Sequence, residues 1–587
     1  MVSIKSGSPA SPAMAAAHSG EHQREPAGWR RWLGRPMVQR VLSVLVVLAA
    51  WQLIGSHFPY SMSSPGAIGR ATGNSLLSQV LPAFGETLAS FGIGLGISIL
   101  VGVPVGLAMA RIRVVRVALE PYVLILYSMP MLALIPIMII IFGVSFPLRV
   151  SGVVLFGIFA IIVNTFTGAS RIDPALEDVG RCFVARPWKR LTAIIFPASL
   201  RYIFAGLRIG FGHAMIGAVV IEIEASAVGM GYLLTKFIQE LLLGQFFVVV
   251  IALGIFSILC SIVLRVVERW CTQPWLRKRQ FTGPRRVPRR KPVLPALRTV
   301  TRSRIGGLAG GAARMIRRWA ARPAASAGSR PARWIRGPAG AWLIRIVVLA
   351  VILGYWQLAS RSISRAVLPS PVSVADAAYQ LTVVNHQIFK PLLNSLALLA
   401  AGFGLSVALG IPLGLAMGRF RWFENVTDPY VSFLYALPHV VFVPLMVVWL
   451  GFGFYFGLAY VTVSAIFPVI INTMQGVKGI DPEYIDTGRG FCASQRTILR
   501  TIVIPAATPF MVAGARLAFS VSWIGVIISE VLSSQTGLGG MIDVFSNNYQ
   551  TADMFVPVVF IAAISVIILQ LSTRYQPRLT PWYQPES

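Results

Sequence analysis

The sequence predicts an all-α polytopic membrane protein, with about twelve transmembrane helices arranged as two parallel homologous six-helix halves. Three observations carry that prediction. The composition is apolar: of 587 residues, 55% are hydrophobic and 12% charged, where a soluble domain carries roughly a quarter charged residues. Apolar stretches near the ~20 residues that cross a ~30 Å hydrocarbon core recur six times in each half. The chain also reads one passage twice. Residues 86–231 lie on 394–539 without a gap, offset by 308, with 52 identities in 146 positions. A repeat of this length is a duplicated half-protein, not a solenoid unit of 20–50 residues.

The spans fall at 38–54, 87–110, 122–142, 150–168, 202–221 and 246–266, and again at 343–358, 395–417, 430–450, 457–475, 510–528 and 555–571. Orientation follows from the bias of lysine and arginine toward short cytoplasmic loops. Arg24, Arg30, Arg31, Arg35 and Arg40 precede the first span, which places the N-terminus in the cytoplasm. The loops after span two (Arg111, Arg113, Arg116) and after span four (Arg171, Arg181, Arg186, Lys189, Arg190, Arg201) then fall on that same side. Between spans five and six the loop holds Glu222, Glu224 and Glu240 against Lys236, and falls outside. An even number of spans per half makes the halves parallel and returns the C-terminus to the cytoplasm. The expected organisation is a tail over 1–37, a first half over 38–270, a linker over 271–341, a second half over 342–575 and a tail over 576–587.

The linker supplies much of a net charge of +31. From Arg277 to Arg345 there are 19 Lys/Arg and no Asp or Glu. In a soluble protein such charge points to nucleic acid. Here it reads as a cytoplasmic tether drawn to anionic lipid headgroups, with no nucleic-acid partner; within it Ala312–Arg322 has the pattern of a basic helix on the membrane surface. The first ~35 residues lack the apolar core of a cleaved signal peptide. Cys182, Cys260, Cys271 and Cys492 form no C-x-x-C pair, so neither disulfide nor zinc is expected. No catalytic, cofactor or metal site is expected either.

The loop between spans four and five is kept in both halves. Half one reads Ile172-Asp173-Pro174, Asp178-Val179-Gly180-Arg181, then Ile194 and Pro197; half two reads Ile480-Asp481-Pro482, Asp486-Thr487-Gly488-Arg489, then Ile502 and Pro505. Aspartate before proline starts a helix, with aspartate as cap and proline in the first turn. A loop that only turns the chain around needs no such repeated detail, so a protein partner is expected at a short helix on the cytoplasmic face.

These loops resemble the coupling segment of binding-protein-dependent ABC importer permeases, whose pattern is E-A-A-x3-G-x9-I-x-x-P. The matching positions are Asp178, Val179, Gly180, Val184, Ile194 and Pro197, and Asp486, Thr487, Gly488, Cys492, Ile502 and Pro505. Asp stands for Glu, the alanines are replaced, and the later glycine is Val184 or Cys492. Glu222…Gly229-Met230-Gly231 and Glu530…Gly537-Leu538-Gly539 at the end of span five are similar to the nitrate/sulfonate/taurine/bicarbonate branch, as are the Gly-Leu-Arg and Ala-Arg segments ending at Arg208 and Arg516. The likeness covers spans two to six of each half. It implies a bacterial inner-membrane permease that docks two separate ATPase subunits through Asp178, Gly180, Arg181, Ile194 and Pro197 and through Asp486, Gly488, Arg489, Ile502 and Pro505. It also implies an extracytoplasmic solute-binding protein and a small, anionic cargo such as a sulfonate, nitrate, taurine or a carboxylate. The chain has no G-x-x-x-x-G-K-[ST] segment, so it cannot hydrolyse ATP through a P-loop.

Residues inside the spans supply the pathway candidates. Pro130 and Pro136 in span three, matched by Pro438 and Pro444, free backbone carbonyls that protein or water has to satisfy; they mark a bent pathway-lining helix or a packing kink. Gly92, Gly96, Gly102 and Gly106 in span two, with Gly402, Gly410 and Gly414, allow close helix approach. Arg208 and Arg516 either snorkel to the inner surface or face the interior. Glu222 and Glu530 line a cavity or brace an outer gate. His213 and His439 have no counterparts in the repeat, being matched to Val521 and Met131; each is a pathway candidate or a packing histidine. The rival reading is a six-plus-six secondary transporter, which needs intramembrane acids for ion coupling, and spans two to four hold none.

Overall fold

The computed structural model describes residues 35–58, 62–172, 178, 182, 187–225, 227–279, 338–364, 367–533 and 536–579. The surface helix expected at 312–322, and Gly180 and Arg181, lie outside the described residues. Every regular element among those described is helical, as a chain in hydrocarbon requires: with no water to pair with, its peptide groups bond within their own segment.

Half one runs α1 (Pro36–His57), α2 (Pro65–Arg111), α3 (Arg113–Ser128), α4 (Ile135–Phe142), α5 (Phe146–Ser170), α6 (Leu191–Ala225), α7 (Met230–Gln239) and α8 (Leu243–Arg279). Half two repeats them as α9 (Pro338–Ser362), α10 (Pro371–Tyr379), α11 (Phe389–Arg419), α12 (Arg421–Ala436), α13 (Val443–Leu450), α14 (Phe454–Lys478), α16 (Gln495–Leu532), α17 (Leu538–Asn547) and α18 (Thr551–Leu579), with α15 (Pro482–Gly490) in the loop before α16. Among the described residues ten helices are long and apolar enough to cross a membrane, and twelve when each bent pair counts as one span.

Three features differ from the expected spans. Span two of half one begins at Pro65, not near 87, capped by Ser64 Oγ accepting from Ala67 N at 3.3 Å. Its extra turns pack on α8, where Gly244 lies against Ala71. In half two the same stretch is split into α10 and α11. Thr87 follows the cap Ser64 by 23 positions, whereas Ser395 follows the cap Ser370 by 25. The two extra residues are expelled at 385–388, where His386 takes a left-handed φ of 51°. Span three is not one helix: α3 and the segment Met131–Phe142 meet at 100°, and α12 and His439–Leu450 at 93°. Two short helices, α7 and α17, fill the loops between spans five and six.

Each half is built on helices that approach almost to backbone contact. A Cβ on Gly94, Gly102 or Gly106 of α2 would meet Val153, Ile161 and Thr165 of α5 at 2.6, 3.1 and 2.7 Å. In half two a Cβ on Gly402, Gly410 or Gly414 of α11 would meet Val461, Val469 and Thr473 of α14 at 2.4, 2.8 and 2.7 Å. The stripe therefore runs through Gly94, not through Gly92 and Gly96, around which a Cβ finds open space within 4 Å. Four-residue spacing from Gly102 leads back to Ser98 and Gly94, whereas Gly92 and Gly96 sit on another face. Pro104 and Pro412 lie inside these helices without interrupting them.

The halves interlock. The first helix of each is peripheral, with 6% of its most apolar window buried against 61% for α6. One end of α1 stays with its own half, Trp51 packing edge-on against Phe247. Its other end reaches half two, where Asn425 Nδ2 donates to Gln39 Oε1 at 2.9 Å and Arg40 lies 3.8 Å from Asp428. In mirror fashion α9 packs on α3. The last helix of each half also crosses over: Ser257 Oγ of α8 donates to Ala436 O at 2.9 Å.

Overpacking a tight helix contact costs about 1–3 kcal/mol. Gly402→Leu should therefore lower the melting temperature of the detergent-solubilised protein, while Gly92→Ala and Gly96→Ala, which meet nothing, should leave it unchanged or raise it. Equal destabilisation by all three would contradict the assigned contact face.

Candidate functional site

At one end of each half a buried carboxylate ties three helices together. Glu222, at the end of α6, accepts from Thr87 Oγ1 of α2 at 2.9 Å and from Gly231 N of α7 at 3.0 Å, and Thr87 Oγ1 in turn accepts from Met230 N at 2.9 Å. Half two repeats this with Glu530: Ser395 Oγ donates at 2.7 Å, Gly539 N at 2.9 Å, and Leu538 N reaches Ser395 Oγ at 3.0 Å. The first N–H groups of α7 and α17 have no partner within their own helix, and a carboxylate answers both that shortage and the helix dipole. The glycines of the Glu-x6-Gly-x-Gly segment have a steric cause. A Cβ on Gly229 or Gly537 would strike the carboxylate at 2.3 and 2.0 Å, and one on Gly231 or Gly539 would strike the Cβ of Glu222 or Glu530 at 2.6 and 2.7 Å. Gly229 also takes φ +102°. Both glutamates are thus braces of the end of the bundle. Thr87 and Ser395, the third member of each tie, escape a reading of the sequence; the one signal is a hydroxyl at matched positions of the repeat.

At the opposite end of half two, α15 occupies the loop between spans four and five. Asp481 caps it, its carboxylate accepting from Glu483 N at 3.0 Å, and Pro482 opens its first turn. Gly488 is buried where α15 meets the base of α16: a Cβ there would lie 2.8 Å from Ile502 Cδ1 and 3.3 Å from Ile498. Ile480, Ile485 and Ala493 join Ile498 and Ile502 in a small apolar cluster. The outward face carries Asp486, paired with Arg489 at 3.2 Å, and two exposed aromatics, Tyr484 and Phe491. Pro505 stands in the first turn after Ile504. Cys492, where the resembled pattern has glycine, takes a left-handed φ of 53°, a conformation that suits glycine best. In half one Asp178 is exposed, and Ile194 and Pro197 are half-buried at the base of α6.

Between these ends the broken spans cross the pseudo-twofold. The turns Met131–Leu134 and His439–Phe442 pack on the span-five helix of the opposite half. Pro130 and Pro438 precede the turns in extended conformation, while Pro136 and Pro444 sit in the first turns of α4 and α13, where the missing N–H costs nothing. His439 stands at the start of its turn, its ring stacked on Phe467 with centroids 5.5 Å apart, and its buried Nε2 has no hydrogen-bond partner. The turn packs on α6, the helix that carries the half-buried His213. Arg208 is half-exposed and ion-paired to Glu268 of α8. At the position matching Glu268 half two holds Gln576.

A duplicated helical bundle of this kind, interlocked across a pseudo-twofold and with broken spans where the halves meet, defines a polytopic membrane permease. The chain belongs to the family of binding-protein-dependent transport system inner membrane components, whose profile matches twice, at residues 102–273 and 410–584. This family consists of transporter components, not enzymes. Among its relatives, an aliphatic sulfonates transport permease protein of Bacillus subtilis is 28% identical over 243 residues, 41% of this chain and 88% of the relative. The taurine transport system permease protein of Escherichia coli is 28% identical over 41% of this chain and 90% of its own length. The bicarbonate transport system permease protein of Synechococcus elongatus is 29% identical over 38% and 85%.

Cys492→Gly relieves a non-glycine residue in left-handed backbone, a strain of about 1–2 kcal/mol partly offset by the unfolded-state entropy of glycine. The variant should melt no lower than the parent. Gly537→Ala should melt clearly lower, because the carboxylate tie has to yield.

Proposed function

We propose that this chain forms the whole membrane part of an ATP-binding-cassette importer, supplying both halves of the translocation pathway in one polypeptide. The observation that carries this reading is the double family match, together with α15 seated at the base of α16 through Gly488 and Ile502. Two separate ATPase subunits would dock in the cytoplasm. One would take α15, through Asp486, Gly488, Arg489, Ile502 and Pro505. The other would take the matching loop of half one, through Asp178, Gly180, Arg181, Ile194 and Pro197. The exposed Tyr484 and Phe491 give α15 an aromatic surface of the kind enriched at protein interfaces.

The cytoplasmic side is then the side of α15, with both termini and the basic linker over 271–341 on it, in a bacterial plasma membrane. The carboxylate ties at Glu222 and Glu530 face outward, toward an extracytoplasmic solute-binding protein. The pathway would run where the broken spans cross, past Pro130, Pro136, Pro438 and Pro444, with His213 and His439 as polar groups on one side only. A pathway with unlike walls suits an asymmetric solute. The names of the sulfonate, taurine and bicarbonate relatives support a small anionic cargo.

The test is co-purification of an ATP-binding-cassette ATPase subunit co-expressed with this chain. Gly488→Leu and Gly180→Leu should each reduce recovered ATPase and ATP-driven uptake at least ~10-fold, the effect of losing about 1.4 kcal/mol of docking energy. Undiminished recovery and uptake would reduce these loops to connectors. Uphill uptake by the chain alone in liposomes, on an ion gradient, would defeat the proposal.

A further inference from the structure

The carboxylate ties differ in one respect that the repeat makes visible. In half one the buried Arg149 lies beside the tie, with Nη2 on Glu86 Oε2 at 3.0 Å and the guanidinium 5.2 Å from the centre of the Phe146 ring. Its charge also acts on Glu222. In half two the position of Arg149 is Gly457, that of Glu86 is Asn394, and that of Phe146 remains Phe454. The space is not closed. A cavity of about 130 Å³ opens there, lined by Asn394, Phe454, Gly457, Ser529, Glu530 and Ser533 among others.

The lining suits a cation. Glu530 is 4% exposed and has no ion-pair partner among the described residues. Ser529 and Ser533 replace Ile221 and Ala225 of half one. Their protons go to Val526 O and Ser529 O, and the Ser529 oxygen lies 3.3 Å from where a Cβ on Gly457 would stand, at the cavity wall. Asn394 spends an amide N–H on Thr536 O at 2.7 Å, which leaves its carbonyl oxygen as a further acceptor. An aromatic face, a carboxylate and several acceptors around an arginine-sized space are the elements of a cation–π site. We infer that half two binds a small hydrogen-bonding organic cation, of the guanidinium or primary ammonium type, in the place that the Arg149 side chain fills in half one. This inference does not rest on the transport reading.

The experiment uses the full chain in nanodiscs, with methylguanidinium chloride as the probe and sodium chloride or tetramethylammonium chloride at equal ionic strength as controls. The melting temperature should rise saturably with methylguanidinium, by about 2 °C or more, and not with either control. Glu530→Gln should abolish the rise. Gly457→Arg combined with Leu398→Ser restores Arg149 and Ser90 of half one at their matched positions; Leu398 needs to shrink because its Cδ2 lies 2.8 Å from a Cβ at Gly457. That variant should melt higher than the parent without added cation and no longer respond. Should Glu530→Gln fail to fold, the double exchange decides alone. No rise in the parent, an equal rise with sodium, or a full response surviving in the double exchange would each overturn the inference.

Discussion

A peptide group that leaves helical geometry inside a bilayer has to find its hydrogen bond in protein or trapped water, and this constraint decides where the present fold can bend. Each half breaks its third span, and nothing in those breaks is left to lipid. Extended residues at Pro130 and Pro438 lead into single 3-10 turns closed by Ala133 N to Pro130 O at 3.1 Å and Val441 N to Pro438 O at 3.0 Å. The opposite half's span-five helix covers each turn. The short helices that follow end at Gly143 and Gly451, with φ of +63° and +68°, where a side chain would be strained. Two prolines start each break and one glycine finishes it, at the same spacing in both halves. The bend is written in the chain, and its cover comes from the other half, so neither half is complete alone.

How far the sequence reveals this depends on which physics fixes each feature. Twelve apolar segments are legible because length and hydropathy are decided by the bilayer, residue by residue. The break in span three is foreshadowed by its prolines, since a missing N–H has a local consequence. The angle and the cover are not, because they depend on a surface of the opposite half, far away in the chain. The glycine stripe on α2 is visible as composition, but the facing set is misassigned at Gly92 and Gly96. Several four-residue registers overlap in a glycine-rich helix, and only α5 selects among them. That α1 and α9 lean on the opposite half is invisible, because helices apolar all round carry no stripe that names a partner. Glu222 and Glu530 can be picked out as buried acids, yet their role rests on Thr87, Ser395 and four backbone N–H groups, which have no signature of their own.

The two copies have drifted in a pattern that follows the same division. Where backbones touch, Gly102/Gly410, Gly106/Gly414, Gly206/Gly514 and the Glu–Gly ties are kept, since any added carbon collides. Where side chains meet at the ends of spans, the charges have been rewritten. Arg116 of half one reaches Ser170 Oγ and lies over Phe166; its match Glu424 pairs with Lys478, which replaces Ser170. Exposed pairs of this kind contribute little stability, so they can be exchanged without loss of the fold. Arg149 is the exception, a buried charge that half two has deleted together with its partner Glu86. Removing Glu86 alone would leave the buried Arg149 uncompensated, which is destabilising. Losing both is tolerable, provided something meets the carboxylate that stays behind.

One helix connects the two ends of half two. The 38 residues of α16, Gln495–Leu532, span ~57 Å at 1.5 Å per residue. Ile498 and Ile502 at its base hold α15 through Gly488, and Glu530 near its far end holds α17 and α11. Its middle is clamped by close contact with α14, where a Cβ on Gly514 would meet Asn472 at 2.9 Å and one on Gly476 would meet Phe510 at 2.6 Å. Close-packed interfaces move as blocks because small separations forfeit contact and small overlaps are repulsive. With a partner docked on α15 as proposed, a push there would be carried through α16 to the α11–α14–α16 block, which meets the other half at the non-helical turn after Pro438.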